Sequence, residues 1–347
     1  MNSYSKDRRH TTLGLLLAVA VAVVVFVSGC GTLHEACVNW KYPRDGQVVE
    51  VEGTPTVVLR WKPAGDSSKG DMVFVGGNQS FAREGEQVLT NLASQGYRGL
   101  SYDRPGNGHT PALPEQSVEG QIAHLHELLA REEITSPILI GHSWSGALAM
   151  MYASRYPVRG LVLLSPVVEP DETLQNGFSK LYLCPVIGPL VAESFGPIFS
   201  IPFVSIEVNK AIAGPLDKRD ERLRAYRRKA TALFSRQSSI RALIRDDISM
   251  YHALEHFWED TNVIARLTNI PITVLYGRLD ETVTPLCHSL RLTNHLSHVE
   301  VFKVDGAGHE IAVTHPDAAT NAVMFTLEWI QNGLGKKPDP ARYRLTQ

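Results

Sequence analysis

The stretch Gly141-His142-Ser143-Trp144-Ser145-Gly146 follows the apolar run Pro137-Ile138-Leu139-Ile140 and leads into a helix-like segment, Ala147 to Tyr156. Apolar strand, small residue, serine, small residue, helix is a narrow structural prescription. A serine at the apex of such a turn has its hydroxyl lifted clear of the backbone, and the turn closes only if its neighbours are small. The same residues also fit an ordinary strand-to-helix turn, so the rest of the chain must supply what an active serine needs.

A serine hydroxyl is a weak nucleophile near neutral pH. It must pass its proton to a base, and the base must be held by a third group. Ile272-Thr273-Val274-Leu275-Tyr276 reads as a buried strand ending in Gly277-Arg278-Leu279-Asp280, and Val299 to Val304 as another ending in Asp305-Gly306-Ala307-Gly308-His309. Both polar candidates thus fall just past the carboxyl end of a strand, where open α/β sheets form their ligand crevices. The expected roles are Ser143 as nucleophile, His309 as base and then acid, and Asp280 as the orienting carboxylate. Glu281 is the rival acid, ranked second because Asp280 lies nearer the strand end. An acyl-transfer intermediate also needs donors for its oxyanion. The N–H of Trp144, next after the serine, is one. The second is expected at Asn78, where Met72-Val73-Phe74-Val75 runs into Gly76-Gly77-Asn78-Gln79 and two glycines let backbone approach a ligand closely.

Strand-like and helix-like patterns alternate through the chain. After an opening hairpin (Gln47 to Val51, Thr56 to Trp61) come helix 82–94, strand 98–102, helix 118–131, strand 138–141, helix 146–156 and strand 160–164. The alternation predicts a doubly wound, mostly parallel α/β sheet. It breaks near Val168 and resumes at Ile272. The intervening insert has an apolar, proline-punctuated part, Leu181 to Ile206, and a helical part, Lys218 to Arg245, with ten Lys/Arg. The basic part reads as a solvated helix face, with contact to anionic lipid head groups as the alternative.

With the motifs in hand, the segment from about Val73 to Trp329 resembles the α/β-hydrolases of the serine esterase and proline-iminopeptidase-like kind. Asp103-Arg104-Pro105-Gly106-Asn107-Gly108-His109-Thr110 is similar to that family's D-R-P-G-x-G-x-S loop, which shapes the pocket rim. The resemblance implies an α/β-hydrolase fold with a helical cap inserted after the sixth core strand. It also places Ser143, Asp280 and His309 on the triad positions and Asn78 and Trp144 on the oxyanion positions. Gly76 stands where the family often has histidine, and Ser145 where it has the second elbow glycine. The implied organisation is a core of 46–167 and 263–335, a cap of 168–262 and a tail of 336–347.

The first residues have a different character. Lys6, Arg8 and Arg9 precede an uncharged run from Leu13 to Val27 that ends in Val27-Ser28-Gly29-Cys30. This is the pattern of an export signal, and the final four residues resemble a bacterial lipobox. The expectation is a signal peptide over 1–29, a lipid on Cys30, a tether over 30–45 and a location on a membrane of the bacterial cell envelope. An uncleaved anchor is the alternative, since 11–29 approaches the ~20 residues of a span. Beyond residue 29 the chain carries 31 Lys+Arg and 35 Asp+Glu, a balance that gives no sign of nucleic acid. Cys37, Cys184 and Cys287 have no metal spacing. His124 and His126 lie two apart, off a common helix face, and read as surface residues, so neither metal nor cofactor is expected. The expected activity is cleavage of a partly hydrophobic ester or related acyl substrate. An aminopeptidase or a non-catalytic lipid- or peptide-binding lipoprotein is the alternative.

Overall fold

The computed structural model describes residues 3–170, 197–212 and 220–346. Eight strands form one sheet: β1 (Gln47–Val51), β2 (Thr54–Trp61), β3 (Asp71–Val75), β4 (Arg98–Tyr102), β5 (Ile138–His142), β6 (Gly160–Leu164), β7 (Ile272–Gly277) and β8 (Val299–Val304). Their order is β1-β2-β4-β3-β5-β6-β7-β8. The first hairpin and the β2–β4 pair are antiparallel, and the other pairs are parallel.

The main helices are α1 (Ser3–Lys41), α2 (Glu86–Ser94), α3 (Val118–Arg131), α4 (Trp144–Ala153), α5 (Pro197–Ala211), α6 (Glu221–Phe234), α7 (Gln237–Glu255), α8 (Thr261–Leu267), α9 (Leu292–His295), α10 (Ile311–Thr314) and α11 (Pro316–Asn332). Successive strand residues point to opposite faces, and the central strands are apolar on both. Val73, Leu139 and Leu163 pack toward α3 and α4. Met72, Phe74, Ile138 and Ile140 pack toward α2 and α11. This two-sided burial explains why these strands read as continuous apolar runs rather than alternating ones.

The chain steps from β3 outward to β4 and then back across β3 to β5. The loops after β3 and β5 therefore diverge from adjacent strands, and a crevice opens between them. Between β6 and β7 the chain leaves the sheet to form α5 to α8. Part of this insert, 171–196 and 213–219, lies outside the described residues, as does Cys184.

Two sequence expectations need correction. Residues 30–45 are not a free tether, because α1 continues to Lys41. Val38 is buried with Phe81, Val204 and Phe234, and the segment is pinned by His34 to Ser235 (3.0 Å), Glu35 to Ser238 (2.5 Å) and Asn39 to Arg236 (2.9 Å). The basic stretch is helical, as its pattern predicts, in two helices that meet around Arg236, whose backbone is extended (φ −65°, ψ 143°). Among its described Lys and Arg residues only Arg236 is buried. The Arg236 side chain is buried and donates to the Gly108 and Leu233 carbonyls, so it is structural rather than solvated. His124 is buried, with its Nε2 3.0 Å from the Thr56 hydroxyl. Only His126 is exposed, stacked on Tyr156 at 3.8 Å. The tail is also anchored: the Lys303 N–H donates to the Thr346 carbonyl at 2.7 Å, and Leu345 is buried.

Candidate active site

Ser143 occupies the turn between β5 and α4 with φ 53° and ψ −123°. A non-glycine residue there is strained, and the surroundings must hold it. They do so with backbone bonds: Ser143 N–H donates to Leu164 O at 2.9 Å, and Ser143 O accepts from Val167 N–H at 3.0 Å. A Cβ on Gly141 would stand 2.5 Å from Ser145 O, and one on Gly146 would collide with Pro166. The small residues of the motif are thus explained by close packing around the turn.

His309 follows β8 and Asp280 follows β7. His309 Nδ1 lies 2.8 Å from Asp280 Oδ2, while Asp280 Oδ1 accepts the N–H groups of Thr282 and Val283 at 2.9 Å each. Glu281 is exposed, so the structure pairs His309 with Asp280. Burial works against the Asp280 charge. The His309 charge, its hydrogen bond and the two backbone donors outweigh that penalty and hold the carboxyl below its ordinary value. Burial likewise disfavours imidazolium at His309, but the charge and hydrogen bond of Asp280, with the charge of Glu310, raise the ring above 6.5.

With Nδ1 committed to Asp280, Nε2 is the nitrogen left for proton transfer. Ser143 and His309 line one cavity of about 310 Å³. Among the described residues no hydrogen bond closes between them, and such bonds in substrate-free sites often tighten only in the complex. The same cavity is lined by Asn78 and Trp144 and roofed by Phe203, Tyr226 and Phe234 of α5 and α6. Gly77 lies against the serine: a Cβ there would be 2.8 Å from Ser143 Cβ and 3.3 Å from its Oγ. Trp144 starts α4, so its N–H has no partner within the helix. The Asn78 side chain is committed elsewhere, accepting from Arg104 at 3.0 Å and donating to Asp247 at 2.5 Å. Its contribution to an oxyanion hole would be the backbone N–H.

Several neighbours lie beyond the reach of motif reading. Arg104 is 1% exposed, and only its place in the Asp103–Thr110 motif marks it in the sequence. Three carboxyl residues line the cavity, Glu207, Asp247 and Glu310, and no Lys or Arg is among its described lining. Burial and the adjacent Asp246 charge push Asp247 up to about 8, against the Asn78 hydrogen bond. Behind His309, Glu84, His142 and Glu310 bring their ligand-type atoms within 4.8 Å of one another. They form the group among the described residues that has the donor set for a cation. Ser80 (2.5 Å) and Tyr226 (3.2 Å) donate to Glu84, and burial with the Glu310 charge drives the Glu84 carboxyl well up. A neutral carboxyl here removes the repulsion without an ion. His142 Nε2 donates to the His309 carbonyl at 3.1 Å, which ties the loop after β8 to the serine turn.

Sequence and structure comparisons agree with this fold. Residues 72–323 match the alpha/beta hydrolase family. A putative carbamate hydrolase RutD of Variovorax paradoxus (strain S110) is 25% identical over 247 residues, 69% of this chain and 84% of that protein. A putative non-heme haloperoxidase of Mycobacterium phage D29 is 32% identical over 89 residues, which span 32% of its length. Among solved structures, MGS-M2, an alpha/beta hydrolase enzyme from a Medee basin deep-sea metagenome library, superposes with a TM-score of 0.64 at 17% identity, covering 84% of this chain and 99% of that one. The enol-lactonase of Burkholderia xenovorans LB400 has a TM-score of 0.64 at 15% identity, covering 81% and 99%. With the match running from β3 through β8 and taking in every residue that lines the cavity, this chain belongs to the alpha/beta hydrolase family.

Proposed function

We propose that this hydrolase is a serine esterase working through Ser143, His309 and Asp280. The observation that carries the reading is convergence. The Asp280–His309 pair, Ser143 and the backbone of Asn78 and Trp144 meet at one roofed cavity. In the proposed reaction His309 Nε2 takes the proton of Ser143 Oγ as the oxygen bonds to the substrate carbonyl carbon. The two N–H groups stabilise the resulting oxyanion. Imidazolium then protonates the leaving alcohol as the C–O bond breaks, leaving an acyl-enzyme. Water, deprotonated by the same nitrogen, releases the acid and restores the serine. Relatives named as esterase and enol-lactonase are compatible with this chemistry.

Ser143→Ala tests the reading. The variant should stay folded and lose both labelling by a fluorophosphonate probe and turnover of p-nitrophenyl butyrate. A folded wild-type protein that shows neither overturns the proposal and leaves the binding-protein reading. A second reading, an aminopeptidase acting on N-terminal proline, is favoured by the acid-lined cavity, which suits a substrate amine. The acidic residues that line it are Glu207, Glu310 and Asp247, the last of which is pushed up to about 8 and so carries its charge only toward alkaline pH. Faster turnover of proline amides than of neutral esters would select it.

We also propose that residues 1–29 are removed and that Cys30 carries lipid, on the strength of the Lys6–Arg9 start, the apolar run and Val27-Ser28-Gly29-Cys30. Cys30 is a free, partly exposed thiol. Among the described residues, no helix is long and apolar enough to cross a membrane. Because α1 beyond Cys30 is pinned to α6 and α7, a lipid there would hold the cap side toward the membrane. Metabolic labelling with palmitate and release of Cys30→Ser into the soluble fraction are the expected results. Equal membrane retention of Cys30→Ser would rule the lipid out.

A further inference from the structure

Arg104 lies in the loop after β4 and is 1% exposed. A buried guanidinium is costly unless its donors are placed and its charge is met. Here three of the bonds go to one short segment. Nε donates to Gly76 O at 2.9 Å, and Nη2 donates to Gly77 O at 2.8 Å and to Asn78 Oδ1 at 3.0 Å. The remaining bonds go to Gln121 and, at 3.2 Å, to Asp246 Oδ2. The guanidinium also lies over the Trp144 ring, 4.2 Å from its centroid.

These contacts bear on the two sides of Ser143. In a trans peptide the C=O and the following N–H point in opposite directions. Holding the Gly77 carbonyl toward Arg104 therefore turns the Asn78 N–H away from Arg104, in a loop whose Gly77 already abuts Ser143. On the other side, the Trp144 indole is clamped between Arg104 and a hydrogen bond from its Nε1 to Asp246 O at 3.0 Å. Its backbone N–H opens α4 directly after the serine. Ser145 adds a third tie, donating to Gly76 O at 2.5 Å. The residue that stands in place of an elbow glycine thus holds the carbonyl of the residue that stands in place of a histidine. Asp246 belongs to α7, so the counter-charge comes from the cap.

We propose that Arg104 is the positioning residue of the oxyanion hole, setting the Asn78 and Trp144 backbone donors together, and that Asp246 makes the cap part of that assembly. The proposal rests on the reading of Ser143 as nucleophile.

The test compares full-length wild type with Arg104→Lys, which keeps the charge and loses the planar fork. The readouts are kcat and KM on p-nitrophenyl butyrate, the affinity of an aryl trifluoromethyl ketone whose serine adduct carries an oxyanion, the pH–rate profile and the melting temperature. Misplacing these donors should lower kcat by about 10²–10³-fold, the cost of losing one oxyanion donor. KM should stay within about threefold, ketone affinity should fall in parallel with kcat, and the acid limb of the profile should not move. A purely structural arginine would lower the melting temperature and leave kcat per folded molecule and ketone affinity unchanged. That result overturns the proposal. If Arg104→Lys does not fold, Ser145→Ala and Asp246→Asn decide the matter: each should lower kcat and ketone affinity about tenfold, and unchanged values in both overturn it. A wild type that fails to label with fluorophosphonate brings down the Ser143 reading and this proposal together. A wild type that labels, with variants at full kcat, removes this proposal alone.

Discussion

His309 Nδ1 and Asp280 Oδ2 stand 2.8 Å apart with both side chains nearly fully buried. The pair engages Nδ1 and leaves Nε2 free of Asp280, and it displaces both groups from their ordinary titration. His309 is raised and Asp280 lowered.

A base must be neutral to accept a proton, so activity should rise as His309 loses its own. Because its value is raised, the acid limb of kcat/KM should centre above pH 6.5. Asp280→Asn removes the raising charge, so the limb should move to lower pH while kcat falls by about 10⁴-fold. For stability the signs are opposite. The His309 contribution is complete below 6.5 and is lost as pH rises through the folded value. The Asp280 contribution is complete above 3.8 and is lost as pH falls through its lowered value. A pH–rate profile of wild type and variant checks the first pair of statements, and urea melts across pH check the second.

Strain at the serine predicts a separable effect on stability. Ser143 holds φ 53°, a conformation that costs a side chain on the order of 1–3 kcal/mol and costs glycine little. Ser143→Gly should therefore melt above Ser143→Ala, both being inactive. Calorimetry of the two proteins decides it, and equal melting temperatures would show that the turn is not strained.

Gly77 faces the serine with no room to spare. Because a Cβ would sit 2.8 Å from Ser143 Cβ, Gly77→Ala should push the loop off the serine. The expected loss in kcat is about 10²-fold, with the far-ultraviolet circular dichroism spectrum unchanged. Wild-type kcat in this variant would mean the loop is not part of the site.

The buried Glu84 carboxyl should keep its proton well above the ordinary carboxylate range. Its folded value lies well above that of the unfolded chain, through burial and the Glu310 charge. Its favourable contribution is therefore complete below the unfolded value and is lost as pH rises toward the folded one. Glu84→Gln keeps the shape without the titration, so its stability should fall less than that of wild type as pH rises above the ordinary carboxylate value. Glu84→Ala should lose about 1–3 kcal/mol at all pH values by leaving the Ser80 and Tyr226 hydroxyls without their acceptor. Equal pH dependence of wild type and Glu84→Gln would place the charge elsewhere.

Much of the molecule is legible from local pattern. The periods of two and about 3.6 mark strands and helices wherever burial is regular, which is why β4, α3 and β6 have the ends the sequence predicts. The serine turn was equally plain, because close packing at Gly141 and Gly146 leaves a compositional trace. Asp280 and His309 were identifiable because each directly follows a strand, and strand ends at one sheet edge converge whatever the cap does.

Other features were settled by contacts between residues far apart in the chain, which leave no periodic signal. The preference of His309 for Asp280 over Glu281 depends on the backbone N–H groups that orient the carboxylate. The docking of residues 31–42 depends on partners some two hundred residues away. Arg104 reads as a rim residue in the sequence and becomes a buried centre only once β3, α4 and the cap close around it. The sequence by itself determined the sheet, its order of elements and the polar side chains proposed for the site at its edge, since hydrophobic periodicity and turn chemistry are local. Tertiary structure alone decided which buried charges face each other and which backbone donors surround Ser143, because desolvation and hydrogen-bond geometry exist only after the chain has packed.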